Sequence, residues 1–251
     1  MSALARRFRP GVAIDMGSAR TRAWLAGRGM VLNVPTVSFS GSGPRYPVRR
    51  GAINDADECA RLLERLLAGR LPRWGRGPLV VCTLPVLCGP RHRQDALTAL
   101  EVLGPRTVLT VDGVRAAALG AGADVSQGLL VVDAGAEVTE VALVTEGSVV
   151  GARRAEVGIA DGKGTQAGVA LVPSVARMVE ELLGADDSGA TSEALSRGIL
   201  LVGGGALWPE LADGISRTLS APVRRAPVPH VTALRGAALL AAAPPDRGRA
   251  G

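Results

Sequence analysis

One pattern, written twice, constrains this chain more than any other feature. An apolar run, Gly11-Val-Ala-Ile, ends in Asp15-Met-Gly17-Ser18. It is followed by Thr21-Arg-Ala-Trp-Leu-Ala, a Gly27-Arg-Gly29 turn and Met30-Val-Leu. The same order returns as Gly128-Leu-Leu-Val-Val, Asp133-Ala-Gly135, Val138 to Thr145, Glu146-Gly147 and Ser148 to Gly151. Each copy predicts a strand ending in Asp-x-Gly, then a hairpin closed by a glycine-containing turn. The aspartates lie 118 residues apart (133 − 15) in a chain of 251. That spacing predicts an internal duplication: two similar α/β lobes facing a cleft.

The residues between the copies alternate between helix and strand patterns. Asp55 and Glu58 form a capping pair ahead of Cys59, Leu62, Leu63, Leu66 and Leu67 at helical spacing. Leu79 to Leu84 reads as a short strand stopped by Pro85. Ala96, Leu97, Leu100 and Leu103 mark a second helix, with Gly104 as its C-terminal cap. A strand over Thr107 to Val111 and an alanine-rich helix over Val114 to Ala121 follow. In the second half Pro173 opens a helix. Gly184 to Thr191 reads as a polar loop, and Ile199 to Val202 as a strand running into Gly203-Gly204-Gly205. Pro209 to Leu219 and Val231 to Ala243 read as closing helices.

Composition excludes several classes. With 47% hydrophobic and 21% charged residues the chain can build a core and is not a disordered tail. Aromatics at 2% leave no stacking platform for single-stranded nucleic acid. The net charge is +6, but 28 of the 29 basic residues are arginine (29 − 1, Lys163), a bias of GC-rich coding that says little about partners. Paired arginines such as Arg153-Arg154 come with no recognition motif, so no nucleic-acid partner is expected. Cys59, Cys82 and Cys88 form no CxxC and read as buried thiols. No apolar run approaches a membrane span, and Asp15 interrupts the stretch that a cleaved signal would need.

An aspartate closing a buried strand can hold a hydrated Mg²⁺, and the glycine after it lets backbone N–H groups approach a phosphate. One Asp-x-Gly alone is a common turn. Two of them in duplicated hairpins, with a later strand ending in three glycines, read as two phosphate loops and an adenosine-contacting loop.

Those residues carry a family resemblance. Val12-Ala-Ile-Asp15-Met-Gly17-Ser18-Ala19-Arg20-Thr21, continuing through Asn33-Val-Pro35-Thr36, resembles the opening of the bacterial actin homologue MreB. Arg49-Arg50-Gly51-Ala52-Ile53-Asn54-Asp55 is similar to that family's entry into its first long helix. Leu130-Val-Val-Asp133-Ala-Gly135 through Ala142 resembles its second phosphate loop. Gly198 to Leu207 and Leu234-Arg235-Gly236 are similar to its C-terminal part. The resemblance implies an actin/Hsp70-type ATPase fold of two duplicated lobes, lacking most of the two outer subdomains. It divides the chain into a basic amphipathic leader (1–10), a first lobe (11–125, outer subdomain reduced to 40–47), a second lobe (126–243, outer subdomain reduced to 162–172) and a tail (244–251).

The implied ligand is ATP with Mg²⁺. Asp15, Gly17, Ser18, Ala19, Arg20, Thr21, Asp133, Gly135, Gly203, Gly204 and Gly205 are its expected contacts, and Asp15 and Asp133 the expected metal ligands. The catalytic groups are degraded. The family's glutamate ahead of the alanine-rich helix aligns with Gly113, and Val138 lacks the hydroxyl that would orient water. Glu137 places a charge beside the phosphate position, where at 4 Å two like charges repel by roughly 4 kcal/mol at an effective dielectric near 20. Loss of a positioned general base costs on the order of 10²–10⁴ in rate. No catalytic residue is therefore assigned, and little hydrolysis is expected. The alternative is an active ATP-dependent enzyme, a small-molecule kinase or ATPase, with Asp112 or Asp161 as its carboxylate.

The leader, with Leu4 and Phe8 among arginines, resembles the membrane anchor of some MreB proteins. Leu71 and Trp74, in an arginine-rich loop, occupy the place of that family's membrane-inserting loop. The expected role is a cell-shape or cell-wall component, cytoplasmic and peripheral at the inner face of the membrane. Its expected partners are an MreB-type filament or other cell-wall proteins, a lipid surface, and other copies of itself.

Overall fold

The computed structural model describes residues 11–40, 43–71, 77–162 and 166–243. The first hairpin unit forms β1 (Gly11–Met16), β2 (Arg20–Leu25) and β3 (Gly29–Pro35). Two small ribbons follow: β4 (Ser38–Ser40) with β5 (Gly43–Arg45), and β6 (Val48–Arg49) with β7 (Ala52–Ile53). Then come α1 (Ala56–Leu67), β8 (Leu79–Leu84), α2 (Pro90–Leu100), β9 (Thr107–Asp112) and α3 (Gly113–Gly120). The second unit forms β10 (Leu129–Ala134), β11 (Thr139–Thr145), β12 (Ser148–Ala155), α4 (Val172–Gly184), α5 (Ala190–Arg197), β13 (Ile199–Val202), α6 (Pro209–Leu219), β14 (Val223–Arg225) and α7 (Thr232–Ala242).

The sheets repeat one topology. The first runs β3-β2-β1-β8-β9 and the second β12-β11-β10-β13-β14. In each, an antiparallel meander supplies three strands and two parallel strands complete the sheet. The central strands are apolar on both faces because both faces are covered. Val12, Ile14, Val80 and Cys82 pack toward α1 and α2, while Ala13 and Val81 pack toward α7. In the second lobe Leu130, Val132 and Leu201 pack toward α4 and α6, while Val131, Leu200 and Val202 pack toward α3.

The last helix of each lobe thus covers the sheet of the other. The cut expected near residue 125 divides the chain, but not the packing. α3 and α7 cross at glycines: a Cβ on Gly236 would lie 1.7 Å from the Ala116 carbonyl oxygen, and one on Gly120 would lie 2.0 Å from that of Thr232. This close crossing joins the lobes at the floor of the cleft.

Most expected elements form where the periodicity places them. Asp55 caps α1, accepting from the Glu58 N–H at 2.8 Å, and Gly104 is left-handed at φ 57°. α5 and β14 were not anticipated. The polar loop stops at Gly189, where Asp186 accepts from the Thr191 N–H and starts α5. β14 is only three residues at a sheet edge, with too little apolar content to announce itself.

Candidate functional site

The cleft is built from two copies of one turn. The Gly17 N–H donates to the Arg20 carbonyl at 3.0 Å, and the Gly135 N–H to the Val138 carbonyl at 2.8 Å. Donors and acceptors are each 118 residues apart (135 − 17, 138 − 20), so the duplication extends to individual hydrogen bonds. Each turn is anchored by a buried threonine. Thr21 shares a 2.9 Å bond with Thr36, and Thr139 donates to the Val157 carbonyl at 2.8 Å. Thr21 thus braces the first turn rather than lining the cleft.

The space between the turns has two chambers. The inner one, about 130 Å³, is lined by Thr83, Gly113, Glu137 and Glu140. The outer one, about 280 Å³, is lined by Ala19, Arg20, Arg22, Gly203, Gly204 and His230. Asp15, Gly17, Ser18, Asp133 and Gly135 border both. The triple glycine divides its work. Gly203 is left-handed at φ 86°, and a Cβ there would lie 2.3 Å from Asp133 Oδ1. Gly204 opens onto free space, whereas Gly205 is packed against Ala134 and lines neither chamber. A roomier cavity, about 470 Å³, lies elsewhere, around Gly128, Arg197 and Pro222, away from both turns.

The two aspartates have opposite surroundings. Asp15 pairs across its hairpin with Arg22. Arg22 Nη1 donates to Asp15 Oδ2 at 3.0 Å, and the Thr83 hydroxyl donates to Oδ1 at 2.8 Å. At the matching position Asp133 faces Glu140, a like charge. Burial first, then the charge of Asp15, pushes Asp133 up to about 6, with Arg22 opposing. Glu140 is 5% exposed, and its Oε1 has no partner. Burial first, then Asp133, raises its carboxyl well above the ordinary range. Burial first, then the charges of Arg22 and Arg20, lowers His230 below the ordinary imidazole range. Arg20 is held on Asn33 by two 2.6 Å bonds and does not reach toward Glu137.

Glu137 does not stand as a bare charge. Its Oε2 accepts from the Arg50 N–H at 2.7 Å, and its Oε1 pairs with Arg49 Nε at 3.0 Å. Arg50 and Gly51 form a two-residue turn between β6 and β7, both left-handed at φ 48° and 67°. A Cβ on Gly51 would meet Val138, Arg154 and Pro85 at 3.1–3.2 Å, so this glycine lets the tip of the ribbon enter the cleft. Its N–H donates to Ser18 Oγ at 3.1 Å. Arg50 Nη1 reaches Asp161 at 2.6 Å and the Glu156 carbonyl at 3.0 Å, while Arg154 Nη2 donates to the Arg50 carbonyl at 2.5 Å. The ribbon is a latch from the first lobe to the second. Asp161 is engaged in it, and Asp112 lines neither chamber.

Sequence reading located both turns and the glycine strand end, and missed Arg22, Thr83, Glu140, His230 and Arg50. Of the expected membrane residues, Leu4, Phe8 and Trp74 lie outside the described residues. Leu71 is half-buried against the core of the first lobe.

The MreB/Mbl protein family matches residues 45–166. The cell shape-determining protein MreB of Escherichia coli (strain K12) is 27% identical, the match covering 60% of this chain and 52% of that one. MreB of Salmonella typhimurium matches at the same level. Over these stretches the chain is similar to MreB proteins.

It spans about half the length of the curated MreB relatives it matches. The fold agrees. MreB5 of Spiroplasma citri, solved with AMPPNP, superposes with a TM-score of 0.82 at 17% identity, covering 92% of this chain and 96% of that one. The MamK double helical filament gives 0.80 at 17% identity, covering 94% and 100%. The fold of this chain is therefore that of actin-like proteins, with two duplicated lobes.

Proposed function

We propose that this protein is a nucleotide-binding, hydrolysis-poor cytoskeletal component of the cell-shape machinery, acting by self-association or by joining an MreB-type filament. The observation that carries this is the pair of matched turns at Gly17 and Gly135. They border one cleft from its two lobes, and its third side is the open backbone of Gly204. Relatives of the same fold were solved with AMPPNP and with ADP, which supports a nucleotide as the ligand of the outer chamber. Its triphosphate end would approach Gly17, Ser18 and Gly135, and its nucleoside end Gly203 and Gly204.

Slow hydrolysis follows from the inner chamber. Gly113 presents no carboxylate and Val138 no hydroxyl. Of the carboxylates named for the kinase or ATPase reading, Asp161 is tied to Arg50 and Asp112 lines neither chamber. The apolar and arginine residues of the leader and of the loop at Trp74 support peripheral contact with the cytoplasmic face of the membrane. The test is calorimetry with ATP and ADP beside a phosphate-release assay and sedimentation of the protein alone. The reading expects binding, release near the uncatalysed background and concentration-dependent pelleting. Sustained release would favour the enzyme reading.

A further inference from the structure

The fold family implies a hydrated divalent cation on the strand-end aspartates. Mg²⁺ binds through one or two carboxylates plus water and substrate phosphates. The donor set here does not fit it. Arg22 occupies Oδ2 of Asp15 and Thr83 occupies Oδ1. The ion pair is enclosed, with side chains 12% and 19% exposed. Among the described residues no group of three or more His, Cys, Asp or Glu side chains is arranged to hold a metal ion. Asp133 remains, but Arg22 lies within electrostatic reach of it, and a fixed guanidinium repels a second cation.

We propose that the Arg22 guanidinium replaces the divalent cation of the cleft, so that this protein binds the phosphate end of a nucleotide without metal. Three observations support it. Arg22 lines the outer chamber together with Gly17, Gly135 and Gly204. Its Nε is buried without an acceptor, so Asp15 does not saturate the guanidinium. The matching place in the second lobe holds Glu140, so the cation is not a by-product of the duplication. A planar guanidinium can accept two phosphate oxygens side by side, and it keeps its charge at every working pH. Thr83 holds Asp15 so that this carboxylate orients Arg22, as it would otherwise orient a hydrated metal.

The inference rests on the nucleotide reading above, and its test separates the two. The first arm uses no nucleotide: Mn²⁺ is added to the native protein, to Arg22→Leu and to Arg22→Gln, and bound metal is followed by electron paramagnetic resonance. The native protein is expected to bind none at millimolar Mn²⁺, and the folded variants are expected to bind it through Asp15 and Asp133. The second arm titrates ATP by calorimetry in EDTA and in excess Mg²⁺. Native affinity is expected to agree within about threefold between the two, while the variants lose about tenfold or more in EDTA and recover with Mg²⁺. Mn²⁺ bound to the native cleft and lost in Asp133→Asn would overturn the proposal, as would native ATP binding that requires Mg²⁺. Absence of ATP binding in every condition would sink the nucleotide reading and, with it, metal-free phosphate binding. The Mn²⁺ arm alone still decides whether Arg22 fills the cation's place.

Discussion

Asp133 and Glu137 show how far a side chain's meaning depends on what faces it. Asp133 is raised to about 6 by burial and by Asp15, so the folded state holds a proton that the unfolded state releases near its ordinary 3.8. Stability from this group is therefore present below about pH 4 and lost as pH rises through about 6. Glu140 pulls in the same direction. Asp133→Asn is expected to raise stability at pH 7.5 by about 3 kcal/mol, at 1.36 kcal/mol per pKa unit, and to change little at pH 4. Urea unfolding at the two pH values checks this. Glu137, legible from sequence as a charge beside the phosphate position, is answered by Arg49 and by the Arg50 N–H. Glu137→Ala should destabilise by about 1–2 kcal/mol, because it strands a donor, while tightening ATP binding. A variant that loses both stability and binding would show that the latch, not the charge, governs the cleft. The aspartates and glycines of the site were readable because a strand followed by Asp-x-Gly is a local pattern. Arg22 was readable in principle, since hairpin register places it opposite Asp15. Thr83 and His230 come from distant segments, and only the fold brings them in.

At the scale of elements, the duplicated meanders were legible because alternating apolar residues and glycine turns fix strands locally. The β6–β7 ribbon was not, because two-residue strands carry no period. Its importance lies in contacts with residues about 90 to 110 positions away. Arg50→Ala is expected to speed amide hydrogen exchange at residues 50–53 and 136–138 while leaving exchange in α4 unchanged. Equal acceleration across both lobes would instead mean global destabilisation. The crossing of α3 and α7 makes a sharper forecast. A methyl at Gly120 or Gly236 has backbone, not a flexible side chain, in its way. Each alanine variant should cost about 3 kcal/mol or more, at the upper end of overpacking effects. Gly184→Ala, with nothing within 4 Å, should be neutral or stabilising by up to about 1 kcal/mol. Chemical denaturation of the three variants compares them directly.

For the whole molecule, the lobes are held by the helix crossing below the cleft and the arginine latch above it, with a nucleotide-sized space between. Among the described residues no helix is long and apolar enough to cross a membrane. Membrane contact would therefore rest on peripheral residues acting together. Replacing Leu4, Phe8 and Trp74 together by serine is expected to reduce co-sedimentation with anionic vesicles, and equal pelleting of variant and native protein would remove the membrane from the account. The central claim is that the duplicated turns still hold a nucleotide in a cleft that no longer turns it over. A single sample of purified protein incubated with radiolabelled ATP tests it most directly, with bound nucleotide and released phosphate counted together over hours. The account predicts ATP recovered intact from the bound fraction. Recovery of ADP with stoichiometric phosphate, or no nucleotide in the bound fraction with or without Mg²⁺, would contradict it.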